Sequence, residues 1–250
     1  MARGKTRHVV CVVLSQTKLA EQDLILTMLC GDGGEVRAVA KGARKPGGRL
    51  AARVEPFCET ELLLAKGRGS LDIVSEATTM DPHAGLRGDP DRVSAAFAVC
   101  EVARQTCFEE ALDPFLYPVL SRTLTALEEA GDRAHLCVVV AAYVFKVLAH
   151  QGWRPELHAC VSCGDEAVSR FSVMAGGALC ESCGHDVEGA EPIDAGMLAW
   201  VSALINLTFD RLLAAPVDDA TATALLGLAH RWATTHLDVR LRAMEFLLGV

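Results

Sequence analysis

Aromatic side chains are scarce in this chain. They make up 5% of its 250 residues, and residues 1–80 contain one, Phe57. A ring stacked on a base contributes roughly 1–3 kcal/mol, so stacking is excluded as the main mode by which that segment would hold nucleic acid. Catalytic signatures are missing as well. There is no G-x-x-x-x-G-K-[ST], no G-x-S-x-G, no H-E-x-x-H and no dense carboxylate cluster. Gly31-Asp-Gly-Gly-Glu35 is not a phosphate loop, because no helix follows it. The chain therefore reads as a non-enzyme. The longest apolar run, Leu136–Phe145, ends at Lys146 and is too short to cross a bilayer. The opening MARGKTRHVV is cationic but has no apolar stretch before a small-residue cleavage site, so a cytoplasmic location is expected.

Cysteine is plentiful by contrast, with ten residues. Six of them (11, 30, 58, 100, 107 and 137) lie singly in apolar runs and read as small buried hydrophobes of a reducing compartment. The other four form two C-x-x-C pairs, Cys160/Cys163 and Cys180/Cys183. Each pair grips one side of a small cation, and two pairs close a tetrahedron of soft ligands at about 2.3 Å, which suits Zn²⁺. With four thiolates the shell is full, so one structural zinc is expected, with His158 and His185 as bystanders. A glycine follows each pair, Gly164 and Gly184, where a positive φ would let the backbone curl toward sulfur. Phe171, Val173 and Gly176-Gly177 between the pairs predict a short hairpin, giving a zinc-ribbon-like module.

The formal net charge of −8 is unevenly spread. Residues 1–70 carry 12 Lys+Arg and 7 Asp+Glu, and the remaining 180 carry 12 and 25. A basic first part suggests a polyanionic partner for that part alone. The same part reads as β. Apolar runs at 8–15, 24–30, 35–41, 58–65 and 71–77, joined by Gly-rich turns without an intervening helix, predict a five-stranded barrel. An OB-fold over residues 1–80 is the expectation, with an SH3-like barrel as the rival. Between the third and fourth strands, Lys41, Arg44, Lys45, Arg49 and Arg53 stand among glycines with no acid. With Arg37, Arg7 and Lys5 they are the candidate phosphate contacts. Holding phosphates while leaving bases unstacked suits pairing and strand hand-off.

From Asp89 the apolar period changes to 3.6. Helices are predicted from Pro90 to about Cys107, from the Asp113-Pro114 region or one turn later (because of Pro118) to Gly131, and from Asp132 to Gln151. The last is apolar nearly all round and reads as a buried centre. Further helices follow at 197–207, 221–236 and 239–248. The expected organisation is α+β: the barrel, an α-helical domain at 88–156 and 190–250, and the ribbon inserted at 157–189. Arg122, Arg133, Lys146 and Arg154 are candidates for a local basic spot, each weighed against plain solvation. Trp153, Trp200 and Trp232 read as core.

Several segments together resemble the RecO family of bacterial recombination mediators: Val39-Ala-Lys41-Gly-Ala-Arg44, Glu55-Pro-Phe57, Gly152-Trp-Arg-Pro155-Glu-Leu157, and Phe171-Ser172 with Gly176-Gly177-Ala-Leu-Cys180. The resemblance implies a non-enzymatic protein of DNA repair and recombination. It implies binding to single- and double-stranded DNA, annealing of complementary strands, and help in loading the RecA recombinase. RecR and the acidic, hydrophobic C-terminal tail of single-strand-binding protein are the implied partners, with RecF and RecA beyond them, in a cytoplasmic, nucleoid-associated setting. Zinc-bearing members share the order of barrel, helices and ribbon. An OB/ribbon protein serving RNA or translation is the alternative.

Overall fold

A computed structural model of the chain describes residues 6–45, 48, 50–67 and 69–250. They form two compact units, one reaching Glu128 and the other running from Glu129 to Val250.

The first unit begins with a 14-residue strand, β1 (Thr6–Leu19), followed by β2 (Asp23–Cys30), β3 (Glu35–Ala40), β4 (Glu59–Ala65) and β5 (Asp72–Asp81). Their order is β1-β2-β3-β5-β4, closed into a barrel, with β3 and β5 parallel and the other pairs antiparallel. The fold is an OB-type barrel. β1 serves two neighbours. Residues 6–12 pair with β4 and residues 11–19 with β2, and the register shifts between Val13 and Ser15. At that irregularity Val13 donates to Cys58 O and accepts from Phe57 N, so the strand bends without losing hydrogen bonds. Inward residues Cys11, Val13, Leu26, Met28, Ala38, Ala40, Leu62 and Leu64 fill an aliphatic core, and Phe57 is buried beside it.

Two helices complete this unit, α1 (Pro90–Thr106) and α2 (Leu116–Glu129). Asp113 makes a turn whose carboxylate accepts from Phe115 N, and α2 starts just beyond it. Two side-chain anchors tie α2 to the barrel. Glu59 on β4 accepts from the Tyr117 hydroxyl and from Ser121 Oγ at 3.0 Å. The buried His83, just past β5, has Nδ1 2.9 Å from Glu128 Oε2.

The second unit is built around α3 (Arg133–His150). This helix is apolar and long enough to cross a membrane by composition alone, yet most of it is buried against α5 (Ala195–Asn206), α6 (Phe209–Leu213) and α7 (Asp219–Leu237). Its all-round apolar surface has the same cause. Part of the acidic excess is accounted for by capping. Asp132, Asp194 and Asp218 each accept a backbone N–H at a helix start, as Asp89 does for α1. Between α3 and α5 come β6 (Val168–Ser172), β7 (Gly177–Cys180), α4 (Glu181–Asp186) and β8 (Glu191–Pro192). α8 (Arg242–Leu248) ends the chain.

The β6–β7 turn uses its two glycines differently. Gly176 has φ +88° with open space where a Cβ would stand. At Gly177 (φ +156°) a Cβ would lie 2.3 Å from Glu156 O, on the strand-like bridge that carries the entry segment. We expect Gly176→Ala to cost about 1–2 kcal/mol from φ alone, and Gly177→Ala to cost more, about 3 kcal/mol, because backbone must move. Urea unfolding of the two variants checks the order.

Candidate metal centre and nucleic-acid face

The ribbon brings the two C-x-x-C pairs together. The sulfurs of Cys160, Cys163, Cys180 and Cys183 all lie within 4.8 Å of one another. Cys163 and Cys180 Sγ are 3.7 Å apart, too far for a disulfide and close to the edge, about 3.8 Å, of a tetrahedron with 2.3 Å bonds. No disulfide forms among the described residues. The donor set and spacing fit a metal ion. Local backbone holds the set in place. Cys160 accepts from Gly164 N and donates to Asp165 O, both at 2.8 Å, and Cys180 caps α4 with Cys183 N pointing at its sulfur. Thiols this close ionise unevenly without a cation. Backbone donation, from Cys180 first, holds Cys160 down to about 6, while the hydrogen bond with Cys180 sulfur pushes Cys183 up to about 12.

The two glycines after the pairs play different roles. Gly164 has φ +78°, as expected of a curling turn. Gly184 is helical and serves close approach, since a Cβ there would come within 2.3 Å of Arg170 Cδ. Arg170 runs across it to Glu181 at 2.9 Å, and this pairing, joined by Ser169, holds the Glu181 carboxyl at about 2. His185 pairs with Glu181, and His158 is exposed. Neither joins the sulfur cluster.

On the barrel, the pleat of β3 sends Ala38 and Ala40 inward and Arg37 and Val39 outward, and Lys41, the first residue past the strand, is exposed in continuation of that row. The row is about 13 Å long at 3.3 Å per residue. Val39 stands between Ile25 of β2 and Ile73 of β5. Lys41 lines a groove of about 660 Å³ with Leu19, Val39, Ile73 and the β4–β5 loop. Arg37 lines a second groove, about 510 Å³, with Arg7 and Lys66, and Ser70 borders both. The loop after β3 is pinned at its base, where Gly42 N donates to Asp23 Oδ1 at 2.7 Å.

The remaining candidate cations diverge. Arg7 is ion-paired with Asp72 at 3.1 Å. Arg44 donates to Glu21 O and sits by Lys18 in a separate depression, and Arg53 donates to Ala77 O in another. Lys45 is exposed. Lys5 and Arg49 lie outside the described residues. The described candidate cations are thus spread over several separate depressions, and only those of Arg37 and Lys41 adjoin, sharing Ser70. Lys66 and Lys18 stand beside these cations without a local sequence pattern that singles them out. The Gly-rich composition around Lys66 signalled a turn, and its position beside the β3 row depends on barrel closure.

In the second unit the basic-spot candidates are engaged. Lys146 donates to Ile205 O (3.1 Å) and Leu207 O (2.5 Å), closing the end of α5, and burial holds its amine down to about 8. Arg133 donates to Leu247 O and Arg154 to Asn206. Trp232 is core, 1% exposed, but Trp153 is not. It is 46% exposed, with one face stacked on His236 at 4.8 Å.

Residues 6–83 match the family model described as Recombination protein O N terminal, and residues 87–245 match Recombination protein O C terminal. The chain belongs to the RecO family. It is 34% identical over 245 residues to the DNA repair protein RecO of Bifidobacterium adolescentis, covering 94% of this chain and 96% of that one. It is 36% identical over 243 residues to that of Frankia casuarinae, with the same coverage, and 31% identical over 238 residues to that of Desulforudis audaxviator, with 94% of each chain covered. RecO membership carries a role in DNA repair and recombination.

Two outcomes are expected. Stripping metal with a strong chelator should lower the melting temperature and raise the thiol count given by an aromatic disulfide reagent, first at Cys163, which is exposed, and Cys183, which is half-buried, while the six cysteines outside the ribbon stay buried. For Lys146, the folded value of about 8 lies below the ordinary 10.5. Between those values the unfolded chain binds the extra proton, so this group makes stability rise with pH there. Lys146→Met should flatten that rise in urea midpoints measured across about pH 8–10.5.

Proposed function

We propose that this protein is a non-enzymatic recombination mediator that grips single- and double-stranded DNA by its phosphates, anneals complementary strands, and helps load RecA together with RecR, RecF and single-strand-binding protein in the cytoplasm, at the nucleoid. The observation that carries this reading is the outward β3 row on a closed OB barrel. Arg37 and Lys41 flank Val39, and Phe57, the single aromatic of residues 1–80, is buried and claims no base. Arg44, Lys45 and Arg53 add further cations on the barrel, Lys5 and Arg49 are proposed contacts from the sequence alone, and Arg7 contributes least because Asp72 already offsets its charge. Backbone contacts release counterions and position a strand without reading it, which leaves bases free to pair.

In the same reading the sulfur cluster of Cys160, Cys163, Cys180 and Cys183 holds one Zn²⁺, a closed structural site with no position for water or substrate. The work is divided among a barrel of residues 1–80 for DNA, helices at 88–156 and 190–250, and a ribbon at 157–189. The helical part, predominantly acidic, receives proteins, including the tail of single-strand-binding protein.

The test is affinity against salt. Charge reversal at Lys41, Arg44 and Lys45 should weaken binding to unrelated sequences alike and reduce the slope of log affinity against log salt by roughly 2–3. It should also slow annealing of complementary strands coated with single-strand-binding protein. An unchanged slope would sink the reading. A marked preference for matched RNA over DNA would turn it toward RNA.

A further inference from the structure

The connection between α1 and α2 runs Phe108-Glu109-Glu110-Ala111-Leu112-Asp113. It lies against the β2–β3 turn. Glu35 N donates to Phe108 O at 3.1 Å. The turn carries two glycines where this connection passes. At Gly33 (φ +83°) a Cβ would fall 1.7 Å from Asp113 O, and at Gly34 one would fall 2.6 Å from the Leu112 side chain. Backbone can therefore lie directly on backbone, and the segment is held there like a strap.

Hydrophobic burial does little to hold it. Phe108 is 57% exposed and Leu112 60%, and Glu109 and Glu110 are both exposed. What the strap does bring to the barrel is negative charge. Glu109 and Leu112 line the same 510 Å³ groove as Arg7, Arg37 and Lys66. Arg7 is already paired with Asp72. Asp32 and Glu35 of the β2–β3 turn line the groove too, Asp32 accepting from Gly34 N at 3.0 Å. Glu109, with Glu110 next to it in sequence, adds to these acids opposite Arg37 and Lys66.

We propose that the Glu109–Glu110 strap is a built-in anionic competitor. Glu109 stands on the flank where a phosphate backbone following β3 from Lys41 would meet Arg37 and Lys66, and with the exposed Glu110 beside it in sequence it holds down the barrel's affinity for polyanions. This rests on the reading of the barrel as a phosphate-gripping face and adds its regulation. A partner that draws the strap away, or neutralises it, would strengthen the grip on that side. Held strands would remain exchangeable while the strap is in place.

The experiment uses the full chain carrying Glu109→Gln and Glu110→Gln, with an oligothymidylate of about 30 nucleotides as probe. As a charge-matched control, two exposed acids of the second unit are replaced, Glu166→Gln and Glu188→Gln. Near 0.05 M salt the strap variant should bind roughly threefold to tenfold more tightly than the unaltered protein, and the gain should vanish toward 1 M salt, where the screening length is about 3 Å. The control should stay near the unaltered affinity. A strap variant that binds no better than the control, while the unaltered protein binds normally, overturns the competitor and leaves the phosphate-gripping reading intact. Binding by the strap variant alone supports the competitor. Absence of binding by every protein at low salt overturns both.

Discussion

One long strand that must bend governs the barrel. β1 pairs with β4 over its first half and β2 over its second, and the shift at Val13–Ser15 is what lets a single strand close the sheet. Closure removes both edges and commits the alternate residues of every strand to an aliphatic core. On β3 the small inward residues Ala38 and Ala40 leave Arg37 and Val39 no orientation but outward, and Lys41 follows at the strand's end. The cationic row is thus a by-product of packing, and the parallel β3·β5 contact sets the β4–β5 loop, with Lys66, beside it.

The ribbon is organised by other forces. Its own apolar core is small, centred on Leu179, which is the situation in which a metal contributes folding free energy outright. Its order comes from backbone geometry: a positive φ at Gly164, a glycine without side chain where Arg170 crosses, and a glycine pressed against the Glu156 backbone.

Charge is divided in the same way. The basic excess sits in the first seventy residues and the acids in the remainder, yet the structure brings some acid back to the barrel. Asp72 reaches Arg7 and the Glu109–Glu110 connection reaches the Arg37 groove. Net charge by segment therefore overstates the positive potential of the barrel. Several acids that look like a repulsive surface are helix caps, with Asp132 and Asp218 held below the ordinary carboxylate range by backbone donors.

Much was legible from the chain alone. The four-cysteine set follows from spacing, since thiols three apart must share a side of a turn. The strands follow from period two, the central helix α3 from its all-round apolar composition, and family membership from motifs in order. Pairings between residues far apart in sequence were not legible. Arg7 and Asp72 are 65 positions apart. Lys146 looked like surface charge and instead closes the end of α5. Trp153 looked like core and is half exposed, because His236 covers only one face of it. Local pattern determines which elements form and which way each side chain faces. Only the closing of the barrel and the packing of the helices decide which distant charges become neighbours, because screened Coulomb interactions and burial depend on distances that no local pattern encodes.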